Sequence, residues 1–68
     1  MRIWLKEIRM SRNMTQQQVA NLSGVSRTTI TEIENNNSNP SVEKAKKIAD
    51  VLGFRWTRFF DDDLKETG

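Results

Sequence analysis

Sixty-eight residues with 11 basic and 9 acidic side chains, a formal charge of +2 and neither cysteine nor histidine fit one small domain spanning residues 1–68. Without Cys or His, disulfides, the usual zinc sites and Ser-His-Asp catalysis are excluded, so no cofactor, no metal and no enzymatic activity are expected. No apolar run approaches the roughly 20 residues of a membrane span, and charge breaks up Met1-Arg2-Ile3-Trp4-Leu5-Lys6-Glu7 too early for a secretory signal, so the expectation is a cytoplasmic protein with no membrane partner.

One proline, three glycines and no sustained apolar-polar alternation point to helices rather than strands. Leu5 and Ile8, three apart among charged residues, predict an amphipathic first helix over 3–12. Thr15 and Gln18 make a Thr-x-x-Gln capping box, Val19, Ala20 and Leu22 follow as the buried side, and Gly24 offers the left-handed residue that ends a helix. The second helix is therefore expected over 16–23. Ser26 is the next N-cap, and Ile30 and Ile33 mark the inward side of a third helix over 27–35. The run Asn35 to Pro40 is loop chemistry. Ser41 caps a fourth helix with the stripe Val42, Ala45, Ile48, Ala49 and Leu52, and Gly53 ends it. Phe54, Trp56, Phe59 and Phe60 crowd into a fifth short helix over 56–60. Asp61, Asp62, Asp63 and Glu66 against Lys65 give residues 61–68 a balance of −3, leaving +5 on residues 1–60. A basic body with an acidic tail, expected to be frayed, is compatible with a polyanionic partner. The three consecutive acids are expected to be solvated rather than to hold a metal.

Helices two and three, joined by Ser23-Gly24-Val25-Ser26, form a helix-turn-helix pattern. The turn needs a residue that accepts positive φ (Gly24), an apolar plug (Val25) and an N-cap (Ser26), and a small residue, Ala20, suits the helix crossing. The third helix then hides Ile30 and Ile33 and turns Arg27, Thr28, Thr31 and Glu32 outward, with Asn35 one turn on. A row of polar side chains on one helix suits the major groove of DNA.

The ordered set Thr15-Gln16-Gln17-Gln18-Val19-Ala20, Gly24-Val25-Ser26-Arg27-Thr28-Thr29-Ile30, Ile33-Glu34, Asn39-Pro40-Ser41-Val42 and Lys47-Ile48-Ala49-Asp50-Val51-Leu52-Gly53 resembles the phage-repressor helix-turn-helix family, XRE-type and lambda-repressor-like, over residues 3–60. The resemblance implies an all-α, compact five-helix bundle that reads DNA with helix three. It implies that Gln16 bonds a phosphate, as the free N–H groups at that helix end also suit an anion. It implies that Arg27 and Thr28 open the recognition helix, with Thr31 and Glu32 a turn further. Arg27 can grip guanine or a phosphate, and Glu32, where the family often has a neutral or basic residue, can accept from cytosine or pair locally. Asn35, Asn37 and Lys44 flank the groove as phosphate contacts. Asn36 stands where the family most often has glycine, and asparagine tolerates the same geometry. Arg9 and Glu34 match a family pair that forms an internal salt bridge. The aromatic group Phe54, Trp56, Phe59 and Phe60 is expected to be mostly core, but four rings in seven residues exceed what one small bundle needs to fill, and helix five often carries the family's dimer contact, so Trp56 and Phe59 are the ones assigned to a subunit interface.

The expected function is that of a sequence-specific DNA-binding transcriptional regulator, a dimeric repressor of phage or mobile-element type on a palindromic operator. Its expected partners are double-stranded DNA and a second copy of itself, which would associate it with the nucleoid; no small-molecule ligand is expected, since 68 residues leave no room for a sensing domain unless they are a fragment of a longer protein. The alternative is a protein-interaction module of the same fold, of antitoxin or coactivator type.

Overall fold

A computed structural model describes residues 1–61; the acidic stretch from Asp62 onward, expected to fray, lies outside the described residues. The elements are α1 (Ile3–Ser11), α2 (Gln16–Ser23), α3 (Arg27–Glu34), α4 (Val42–Leu52) and a last helical turn, α5, over 58–61. Every regular element among the described residues is helical, and the architecture is the expected five-helix bundle.

Local chemistry sets most of the boundaries. The Thr15 hydroxyl accepts from Gln18 N at 3.1 Å, and the Gln18 side chain accepts from Thr15 N at 2.8 Å, so two helix-end donors are satisfied reciprocally. Ser26 accepts from Thr29 N and Ser41 from Lys44 N, each at 3.2 Å, opening α3 and α4. Gly24 ends α2 at φ 75° with its N–H on the Ala20 carbonyl. A Cβ there would meet nothing within 4 Å, so the turn requires glycine for its backbone conformation, not for space. Asn36 takes the left-handed conformation at φ 63°, and Asn13, before α2, does the same at φ 57°.

The core is one cluster: Leu5 from α1, Val19 and Ala20 from α2, Val25 from the turn, Ile30 and Ile33 from α3, Ala45, Ile48 and Leu52 from α4, and Phe59. Two apolar residues expected inside lie elsewhere. Leu22 is 67% exposed, because the buried arc of α2 is Val19, Ala20 and Ser23, and Leu22 is rotated off it. Val42 is 48% exposed, since Ser41 to Lys44 are all uncovered and α4 enters the core only from Ala45.

The last segment differs from expectation in a way that matters for assembly. Helical geometry begins at residue 58, after a turn through Trp56 and Thr57, two residues later than the aromatic spacing suggested. Phe59, assigned to a subunit interface, is 4% exposed. Its ring lies 5.3 Å from Trp4 and 5.4 Å from Phe54, and Trp4 and Phe54 meet edge-on at 5.3 Å. Three rings drawn from both ends of the described chain thus enclose one another. Phe59 therefore fills the core of its own subunit, which leaves it almost no surface for a partner.

Candidate nucleic-acid interface

Two arginines far from the recognition helix in sequence secure its frame. Arg2 is only 8% exposed; its backbone N–H donates to the Glu34 carbonyl at 2.7 Å, and its guanidinium donates to the Ile33 carbonyl and to Asn39 Oδ1. The Arg2 backbone N–H thus caps the Glu34 carbonyl, while the guanidinium adds a second donor to the Ile33 carbonyl, which also accepts from Asn36 N at 3.2 Å, and complements the helix dipole. Arg9 reaches the same end from α1: Nε donates to Glu34 Oε2 at 2.7 Å and Nη2 to Glu34 Oε1 at 3.2 Å, the salt bridge that the resemblance implied. Its third nitrogen, Nη1, donates to the Met14 carbonyl at 2.8 Å. One guanidinium therefore ties the end of α3 to the turn that launches α2. The Glu34 carboxylate is 3% exposed, and a charge so buried persists only when paired.

Gln16, the first residue of α2, joins this group. Its Nε2 donates to Glu34 Oε1 at 3.3 Å, and the Thr31 hydroxyl donates to its Oε1 at 2.8 Å. Thr31, expected among the outward readers, is half-buried and engaged with α2. Arg9, Gln16, Thr31 and Glu34 thus make one polar network across α1, α2 and α3, although only the Arg9–Glu34 pairing was expected.

The outer side of α3 is open. Arg27, Thr28 and Glu32 are exposed, with Asn35 beyond them, while Ile30, Ile33 and Glu34 face inward. Thr29 is half-buried and accepts from the Ser26 hydroxyl at 2.8 Å. The turn into α3 is held by Val25, buried as its apolar plug, whose N–H donates to Ser23 Oγ at 3.2 Å. Beyond α3, Asn37 is exposed and its N–H donates to the Glu32 carbonyl at 2.9 Å; Lys44 is exposed on the first turn of α4. A polar row on one open helix face, with a second helix beginning beside it, is the arrangement that a helix-turn-helix presents to a duplex.

The sequence pattern of the helix-turn-helix family matches residues 5–59, which include all of α2, the Gly24 turn and α3. The chain belongs to the XRE-type helix-turn-helix family of transcriptional regulators.

Relatives of this helix-turn-helix chain resemble it along nearly its whole length. The uncharacterized HTH-type transcriptional regulator YqaF of Bacillus subtilis is 46% identical over 98% of this chain and 88% of its own. A second uncharacterized HTH-type transcriptional regulator, from Archaeoglobus fulgidus, is 41% identical over 97% of this chain and 93% of its own. Among solved structures, an HTH_3-family transcriptional regulator from Vibrio cholerae superposes with a TM-score of 0.71 at 36% identity, over 87% of this chain. This chain spans 33% of that protein's length.

Trp56, the other residue assigned to a subunit interface, is half-buried. Its ring faces Phe60 at 6.1 Å, with Lys46 Nζ 5.3 Å from its centroid. Arg2 and Arg12 have structural roles that no local signal announces, because the carbonyls they meet lie 31 and 40 residues away. No helix among the described residues is long and apolar enough to cross a membrane.

Proposed function

We propose that this regulator binds double-stranded DNA sequence-specifically, with α3 in the major groove. Arg27 and Thr28 meet base edges near the start of α3, and Glu32 a turn further accepts from a cytosine amine. Gln16, Asn35, Asn37 and Lys44 contact phosphates on either side. The observation that carries this reading is the division of α3 into a buried apolar stripe, Ile30 and Ile33, and an exposed polar row, Arg27, Thr28 and Glu32. One helix covers about four or five base pairs, too few to select a site within a genome. Two copies related by a twofold axis would read half-sites about 34 Å apart on a palindromic operator. Bound at a promoter, such a dimer represses by excluding polymerase.

Selection from a randomised duplex library tests this directly. The expected result is a palindrome whose half-sites lie one helical turn apart, bound with an affinity that falls steeply as salt rises. Recovery of no preferred sequence even at low salt would instead favour a protein-interaction module of the same fold.

A further inference from the structure

We propose that Thr31 is a positioning residue for DNA binding: its hydroxyl orients the Gln16 amide so that one Nε2–H stays available to a phosphate. This rests on the DNA-binding reading above. The orientation follows from hydrogen-bond chemistry. The Glu34 carboxylate, paired with Arg9, can only accept, so Gln16 must turn its nitrogen toward Glu34 Oε1. The amide oxygen is then turned to Thr31, whose hydroxyl must donate, as the 2.8 Å contact requires. An amide nitrogen carries two hydrogens. Glu34 takes one, and no acceptor among the described residues takes the other.

The same contact withdraws Thr31 as a hydrogen-bond donor to a base edge. A threonine hydroxyl has one hydrogen, and here it is committed to Gln16 rather than to a base edge. A helical threonine divides between two χ1 rotamers, and the bond to Gln16 selects the one that points at α2. Thr31 and Gln16 lie 15 residues apart on different helices, so the contact also joins the start of α2 to the middle of the recognition helix. Thr31 accordingly sets the strength of the phosphate grip, while base preference stays with Arg27, Thr28 and Glu32.

The test compares T31V, T31S, Q16A and T31V/Q16A on two duplexes, the palindrome recovered by selection and a random sequence of equal length. T31V removes the hydroxyl at constant shape. It should weaken binding about three- to tenfold on both duplexes, the value of one hydrogen bond, with base preference unchanged. T31S should restore affinity, and T31V should add nothing in the Q16A background. In the free protein, the Gln16 side-chain amide resonances should move in T31V and return in T31S. An altered preference at one base pair, an undiminished T31V effect in the Q16A background, or amide resonances indifferent to T31V would each overturn the proposal. If the wild-type chain bound no DNA, the regulator reading would fall, while the resonance comparison would still decide whether Thr31 orients Gln16.

Discussion

The Arg9 guanidinium grips the Glu34 carboxylate through two nitrogens, at 2.7 and 3.2 Å, and spends its third on the Met14 carbonyl. This pair connects α1 to the far end of the recognition helix and to the turn before α2. Arg9→Ala should cost about 3–5 kcal/mol of stability, because it strands a carboxylate that is almost wholly buried. Replacing both partners with apolar residues of similar size should recover most of that loss. Denaturant titration of the single and double variants checks it, and a loss under about 1 kcal/mol for Arg9→Ala would mean that solvent reaches Glu34 freely.

Arg27 stands at the start of α3 with its guanidinium exposed. Arg27→Ala should weaken binding to the selected palindrome by about 1–3 kcal/mol and relax preference at a single base position. Binding titrations over single-base variants of the palindrome measure this. An equal loss on every sequence would reassign Arg27 to a phosphate.

The two glycines that end helices should respond differently to alanine. At Gly24, φ 75° alone opposes a side chain, so Gly24→Ala should cost about 1 kcal/mol and Gly24→Asn less. At Gly53, φ is 79° and a Cβ would also stand 2.9 Å from Arg12 Nη2. The same guanidinium group donates through Nε to the Leu52 carbonyl at 3.1 Å. Gly53→Ala should therefore lower Tm further than Gly24→Ala, each 1 kcal/mol corresponding to about 4–8 °C in a domain of this size. Equal Tm losses would show that Arg12 swings aside without cost.

Phe59 and Trp56 should separate stability from assembly. Phe59→Ala should cost about 3–5 kcal/mol, as expected for emptying a ring from a packed core, and calorimetry reads it. If the proposed dimer forms through Trp56, Trp56→Ala should leave the fold intact and shift sedimentation toward the monomer mass. An unchanged mass would remove Trp56 from the subunit contact.

The positions legible from the sequence share a short reach. Thr15 with Gln18, Ser26 with Thr29 and Ser41 with Lys44 are partners three residues apart, so the residue types alone identify the helix starts. Gly24, Gly53 and Asn36 declare left-handed backbone by their chemistry. The stripe from Ala45 to Leu52 declares a buried side by its period. Leu22 shows where this kind of reasoning fails: periodicity admits it to the inward side of α2, yet Ser23 takes the place against the core. The Thr31–Gln16 contact was not legible either, because it depends on how closely α2 and α3 approach.

The sequence by itself determined helices α1 to α4, the caps of α2, α3 and α4, the turn at Gly24 and, in the polar row that follows it, Arg27, Thr28 and Glu32. These depend on backbone conformations and hydrogen bonds within a few residues. Only the tertiary structure decided that Arg2 and Arg12 cover helix ends 31 and 40 residues away, that Phe59 closes on Trp4 and Phe54, and that Thr31 turns to Gln16. Those outcomes depend on which helices meet and at what angle. Many distant pairs satisfy the same hydrogen-bonding and apolar requirements, and chain geometry selects among them.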